Sequence, residues 1–150
     1  MNTPLQIVFL VIMSAAWALM EIQIEGNGGW AENLPTWKVK NPFPKILSWP
    51  TLVDGYHLWM WATTILIFQS PFFFGWAFNI QNELVAIEMW FLFGLIEDFL
   101  WFVFNPAWGI KKFFIKEIPW HKNKILFLPQ NYWVMFVIIF LFEVFRRHLS

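Results

Sequence analysis

The sequence predicts an all-α integral membrane protein, with four transmembrane helices joined through two long aromatic-rich interfacial connections. Three observations predict it. Of 150 residues, 59% are hydrophobic and 13% are charged, against about 25% charged in an ordinary soluble domain. The chain carries 19 Phe and 12 Trp, more than a soluble domain of this size could hide. Four apolar runs approach the roughly 20 residues that cross about 30 Å of hydrocarbon.

Ten basic and ten acidic residues cancel, so no bulk field recruits nucleic acid. The same scarcity of charge excludes a disordered chain or a coiled coil. No cysteine is present, which excludes disulfides, thiolate metal sites and cysteine nucleophiles.

The first run, residues 4–21, carries no charge until Glu21. Its amino-terminal flank lacks Lys and Arg, so a retained helix is expected rather than a signal peptide. The connection over 22–54 holds Gly26, Gly28, Gly29, Pro35, Pro42, Pro44 and Pro50, which stop regular elements. Trp30, Trp37 and Trp49 are interleaved with them, so the segment is expected to lie packed at the bilayer interface. The second span covers about 55–76, with Pro71 expected to kink it or end it early. The third covers 84–104 and stops at Asn105-Pro106. The second connection mixes Lys111, Lys112, Lys116, Lys122 and Lys124 with Phe and Trp120 and reads as interfacial. The fourth span covers about 131–146, ending in Arg146-Arg147-His148.

No internal repeat interrupts this plan, so a single membrane domain over 1–150 is expected. Both termini then share one side with the 77–83 link. Eight lysines lie in the two long connections and two arginines at the other side. The positive-inside rule puts the connections in the cytoplasm, and a plasma or inner membrane is the expected location.

Ionisable residues inside spans cost about 2.5–3.5 kcal/mol each at a helix centre. They face a bundle interior or water. On a helical projection of the third span, Asn79, Glu83, Trp90, Gly94, Glu97, Asp98, Trp101 and Asn105 share a stripe about 100° wide. Glu88 falls off it and is expected to be unimportant. Near the ends, Asn79, Glu83 and Asn105 are as easily read as helix–helix glue. Glu97 and Asp98 are harder to explain so. Adjacent like charges cannot both ionise cheaply, so one should hold a proton unless a cation is near.

His57, His121, Glu21 and Glu25 belong to the same membrane face as these acids, while His148 is at the other. Imidazole with carboxylate is the ligand set of Zn, Fe or Mn sites, so His57, His121, Glu97 and Asp98 are candidate metal ligands. No H-E-x-x-H motif accompanies them. A metal-free pocket with Lys or Arg as counter-charge is the alternative. Gly-rich phosphate loops and nucleophile-elbow serines are absent.

The run Leu95-Ile96-Glu97-Asp98-Phe99-Leu100-Trp101-Phe102 resembles the P-x-E-E/D-x-x-F-F pattern of small lycopene cyclase membrane domains, with Leu95 in place of the proline. In that family paired acids protonate a polyene. The resemblance implies an acid role for Glu97 and Asp98.

Two functions are therefore expected to compete. One is a small membrane enzyme with Glu97 and Asp98 as central acids, His57 and His121 as ligands or proton carriers, and Glu21, Glu25 and Tyr56 supporting them. Its substrate would be a lipid or isoprenoid entering from the bilayer. The other is a non-catalytic accessory subunit, docking a partner membrane subunit or a second copy through its polar seam.

Overall fold

The computed structural model describes residues 4–42, 52–114, 118–121 and 123–149. It is mostly helical: α1 Pro4–Glu25, α2 Gly55–Phe73, α3 Ile80–Phe104, a short α4 Gly109–Phe114 and α5 Gln130–His148. The four long helices fall where the apolar runs predict them. α1 continues a turn beyond its run, so Glu21 and Glu25 sit on its last turns instead of following it.

α3 is the central helix. Asn79 caps it by accepting from the Asn82 N–H at 2.9 Å. α1, α2, α4 and α5 all pack on α3, while α2 and α5 scarcely touch each other. α1 approaches most intimately because Ser14 and Ala18, both fully buried, present little bulk. The Ser14 hydroxyl donates to the Phe93 carbonyl at 3.3 Å. α2 ends at Phe73, within a turn of Pro71, whose carbonyl accepts from the Phe74 N–H.

The described parts of the connections form paired strands and packed turns despite their glycines and prolines. β1, Lys38–Lys40, pairs antiparallel with β2, Leu52–Asp54, placing Val39 opposite Val53. β3, Lys124–Ile125, and β4, Leu128–Pro129, form a tight hairpin. Its turn residues Leu126 and Phe127 adopt left-handed φ of 47° and 73°. Two glycines explain how the indoles dock. A Cβ on Gly29, at φ +67°, would lie 2.3 Å from the Trp120 ring, and one on Gly55 would lie 2.5 Å from the Trp37 indole. Trp120 packs on Trp101 and Trp108. Trp30 donates to the Leu52 carbonyl at 3.2 Å. Trp37 covers Gly55 but is 49% exposed on its other side. Trp49 lies outside the described residues.

Around α4, Phe102, Phe113 and Ile118 are fully buried with Trp101 and Tyr132. Each such aromatic side chain contributes about 1.5–3 kcal/mol on burial. This cluster fixes the end of the bundle where the polar residues gather.

Among the described residues one helix, α1, is long and apolar enough to cross a membrane by length and composition. Four spans are more than that measure supports. α3 carries Glu83, Glu88, Glu97 and Asp98, and α5 ends with Glu143, Arg146 and Arg147. α2 includes Tyr56, His57, Trp59, Trp61 and Gln69, whose polar groups dilute its apolar character.

Candidate functional site

The end of α1, the start of α2, the second half of α3 and the start of α5 converge on one cavity of about 540 Å³. Its walls include Glu21, Glu25, His57, Glu97, Asp98, His121 and Tyr132. Away from these groups the lining turns apolar, through Ile65, Phe91, Val134 and Ile138. The apolar part lies in the slot left where α2 and α5 both pack on α3 but not on each other.

His57 belongs to the first polar group. Asp54 caps α2 by accepting from the His57 N–H at 2.9 Å and bonds the His57 ring at Nδ1, 2.8 Å away. The other ring nitrogen, Nε2, lies 3.7 Å from Glu25 Oε1. That oxygen also accepts the Ala31 N–H at 2.6 Å. Trp30 stacks on the imidazole with ring centroids 4.1 Å apart. Trp30 and Ala31 adopt left-handed φ of 46° and 51°, a costly geometry for non-glycine residues. The strained turn is what brings the indole and the Ala31 amide onto His57 and Glu25. Burial opposes ionisation of Asp54, but hydrogen bonds from the His57 ring and backbone outweigh it and hold this carboxyl below the usual Asp range.

The second group joins α3, α5 and the loop before β3. Asp98 meets His121 Nε2 at 3.1 Å and accepts the Tyr132 hydroxyl at 2.5 Å. Two donors supply what an ionised carboxylate needs. The His121 ring is buried, with Nδ1 lacking a partner. The Asp98 side chain stays 28% exposed, toward the cavity.

The third group is a carboxyl pair. Glu97 and Glu21 face one another across the α1–α3 contact, with Tyr56 beside Glu21. Both are buried, and Oε1 of each finds no donor. Trp101 Nε1 is likewise buried and unpartnered.

The expected two-histidine metal site is not formed. His57 and His121 are held by different carboxylates, and no cluster of three His, Asp or Glu side chains able to hold a metal occurs among the described residues. Among those residues no Lys or Arg lines the cavity, so none of them supplies the basic counter-charge weighed for this pocket. The remaining seam residues have structural partners. Glu83 accepts from Gln69 at 2.7 Å, Trp90 donates to Thr64 at 3.0 Å, and Asn105 donates to the Gly26 carbonyl at 2.8 Å.

Glu88 contradicts its expected unimportance. It is fully buried, 3.8 Å from Arg146 Nε. α5 packs on α3 and its Arg146 reaches Glu88, on a face that the projection of α3 alone left without a partner. Glu143, one helical turn earlier on α5, bonds both Arg146 and Arg147, as its spacing predicts.

Sequence reasoning passed over Asp54 and Tyr132. Asp54 stands immediately before Gly55-Tyr56-His57, an N-cap signal. Tyr132 is one of two tyrosines in a chain with 19 Phe. Both tyrosines reach the site. No family model, no curated protein and no solved structure matches the chain.

Proposed function

We propose that the chain is a membrane enzyme that carries out acid–base chemistry on the polar end of a lipid-like or isoprenoid molecule. One observation carries the reading: a single cavity joins an apolar slot to two carboxylate–imidazole pairs. Its size of about 540 Å³ suits a small-molecule ligand. Four spans are part of the proposal. Large apolar side chains face outward on three helices, among them Leu5 at 77%, Ile12 at 63%, Leu66 at 64% and Phe140 at 66% exposure. Soluble monomers rarely expose such continuous apolar surface.

In this reading the Asp98 carboxylate orients His121 through Nε2–H. That tautomer leaves Nδ1 as the proton acceptor. Tyr132 steadies Asp98. The Glu21–Glu97 pair becomes a complete hydrogen bond when the two share one proton, which gives the site an acid beside its base. Asp54 and Glu25 hold His57 as a second proton carrier.

The test incubates the purified protein with a total lipid extract of its host membranes and follows the extract by mass spectrometry. A lipid species that changes with the native protein, but not with the Asp98→Asn variant, supports an enzyme. An unchanged extract contradicts it. Reporter fusions at residues 40 and 115 should report one compartment, and those at 80 and the carboxyl terminus the other.

A second reading rests on the exposed apolar face of α1. An accessory subunit would use that face to meet a partner membrane protein or a second copy, and would leave the cavity idle. Stable migration as a monomer in detergent counts against it.

A further inference from the structure

We infer that the polar end of the cavity selects a head group that donates hydrogen bonds and carries no negative charge. This rests on the lipid-like ligand proposed above and names its class: a long-chain alcohol or ammonium, not a phosphate or carboxylate.

The charge inventory is one-sided. Four carboxyls line the cavity, Glu21, Glu25, Glu97 and Asp98, against two imidazoles. Asp54 stands directly behind His57 and adds a fifth acid. Among the described residues no Lys or Arg lines the space. Even with both imidazoles protonated and one proton shared between Glu21 and Glu97, three lining carboxylates face two cations. An anionic head would enter this field without the forked guanidinium that normally receives phosphate or carboxylate. In a site walled by apolar side chains that repulsion is barely screened.

The hydrogen-bond inventory points the same way. Glu21 Oε1, Glu97 Oε1 and His121 Nδ1 are buried without a donor among the side chains, and Trp101 Nε1 is a buried donor without an acceptor. All four residues line the same cavity. Buried polar groups left unpaired are costly, so these atoms together favour a guest that supplies what they lack. A hydroxyl can donate to a carboxyl oxygen and accept from the indole N–H. An ammonium supplies donors to both carboxyls. A phosphate or carboxylate offers acceptors where the walls already have a surplus of them.

The test uses four amphiphiles of identical chain, brominated at mid-chain, with hydroxyl, ammonium, carboxylate or phosphate heads. Trp30, Trp61, Trp90 and Trp120 line the cavity, so a bound bromine quenches their fluorescence. Only quenching reversed by excess unbrominated alcohol is counted. The alcohol and the ammonium should bind about tenfold or more tightly than the two anions. Equal affinity for all four heads, or tighter binding of an anion, overturns this inference and leaves the chain-binding cavity standing. Absence of competable quenching by any of the four overturns the cavity reading itself.

Discussion

Tyr132 of α5 donates its hydroxyl to Asp98 of α3 at 2.5 Å. The bond ties the last long helix to the acid that also holds His121, and it crosses the floor of the cavity. Tyr132→Phe keeps the ring packed against Phe113 and removes the donor alone. Hydrogen bonds to charged groups contribute about 1.5–3 kcal/mol. Denaturant unfolding in micelles, followed by tryptophan fluorescence, should show a loss of that order. A change below about 0.5 kcal/mol, the range of neutral surface substitutions, would mean that Asp98 does not depend on Tyr132.

Adjacent acids should respond in opposite ways. In Glu97→Gln the new amide can donate to Glu21, as the shared proton does in the native pair, and one buried acid is removed. Stability should hold or rise. Asp98→Asn turns an amide N–H toward His121 or Tyr132, both of which already offer hydrogen to that position. It should cost about 1–3 kcal/mol. Equal effects at the two positions, or the reverse order, would contradict the assignment of donors.

Glu88→Gln should destabilise the fold although Glu88 does not line the cavity. Glu88 is fully buried and 3.8 Å from Arg146. Arg146 keeps Glu143 as a partner, so the loss should fall short of the roughly 3–5 kcal/mol of a fully broken buried pair. Thermal unfolding of the variant beside the native protein measures it. An unchanged midpoint would mean that the Glu88–Arg146 approach contributes nothing to the fold.

Acid should weaken the α2 cap. Asp54 is held below the usual carboxyl range chiefly by its bonds from His57, which outweigh the opposing effect of burial. A group depressed in the folded state stabilises fully above its unfolded value, about pH 4 for Asp. That contribution is lost as pH falls through the lower folded value. Asp54→Asn should flatten the acid limb of a stability–pH profile. Superimposable acid limbs would contradict the cap's electrostatic role.

The helices and the gathering of acids and histidines at one end were legible because hydrophobic run length and helical projection act locally. Glu21, Glu25, His57, Glu97, Asp98 and His121 do line one cavity. The pairing inside it was not legible. Whether the His57 ring turns its other nitrogen to Glu25 of α1 or to Glu97 of α3 depends on how α2 is rotated against them, and a stripe on one helix does not specify the rotation of its neighbour. Glu88 shows the same limit from the other side, since only the position of α5 decides which α3 face is covered. Tyr132 was hidden by its apolar surroundings, and the β1–β2 ribbon by glycines and prolines that flank it without entering either strand.

Gly94 offers the most direct test of the ligand-binding cavity. It lies on the α3 wall of the cavity, and a Cβ there would meet no atom within 4 Å. Gly94→Phe starts from an unobstructed Cβ and extends into the slot between α2 and α5, and replacing a mid-helix glycine should not weaken α3. The decisive measurement is competable quenching by the mid-chain-brominated alcohol, in the native protein and in this variant. The account predicts that thermal stability holds or rises while affinity for the alcohol falls about tenfold or more. Unchanged affinity in a folded Gly94→Phe protein would contradict it.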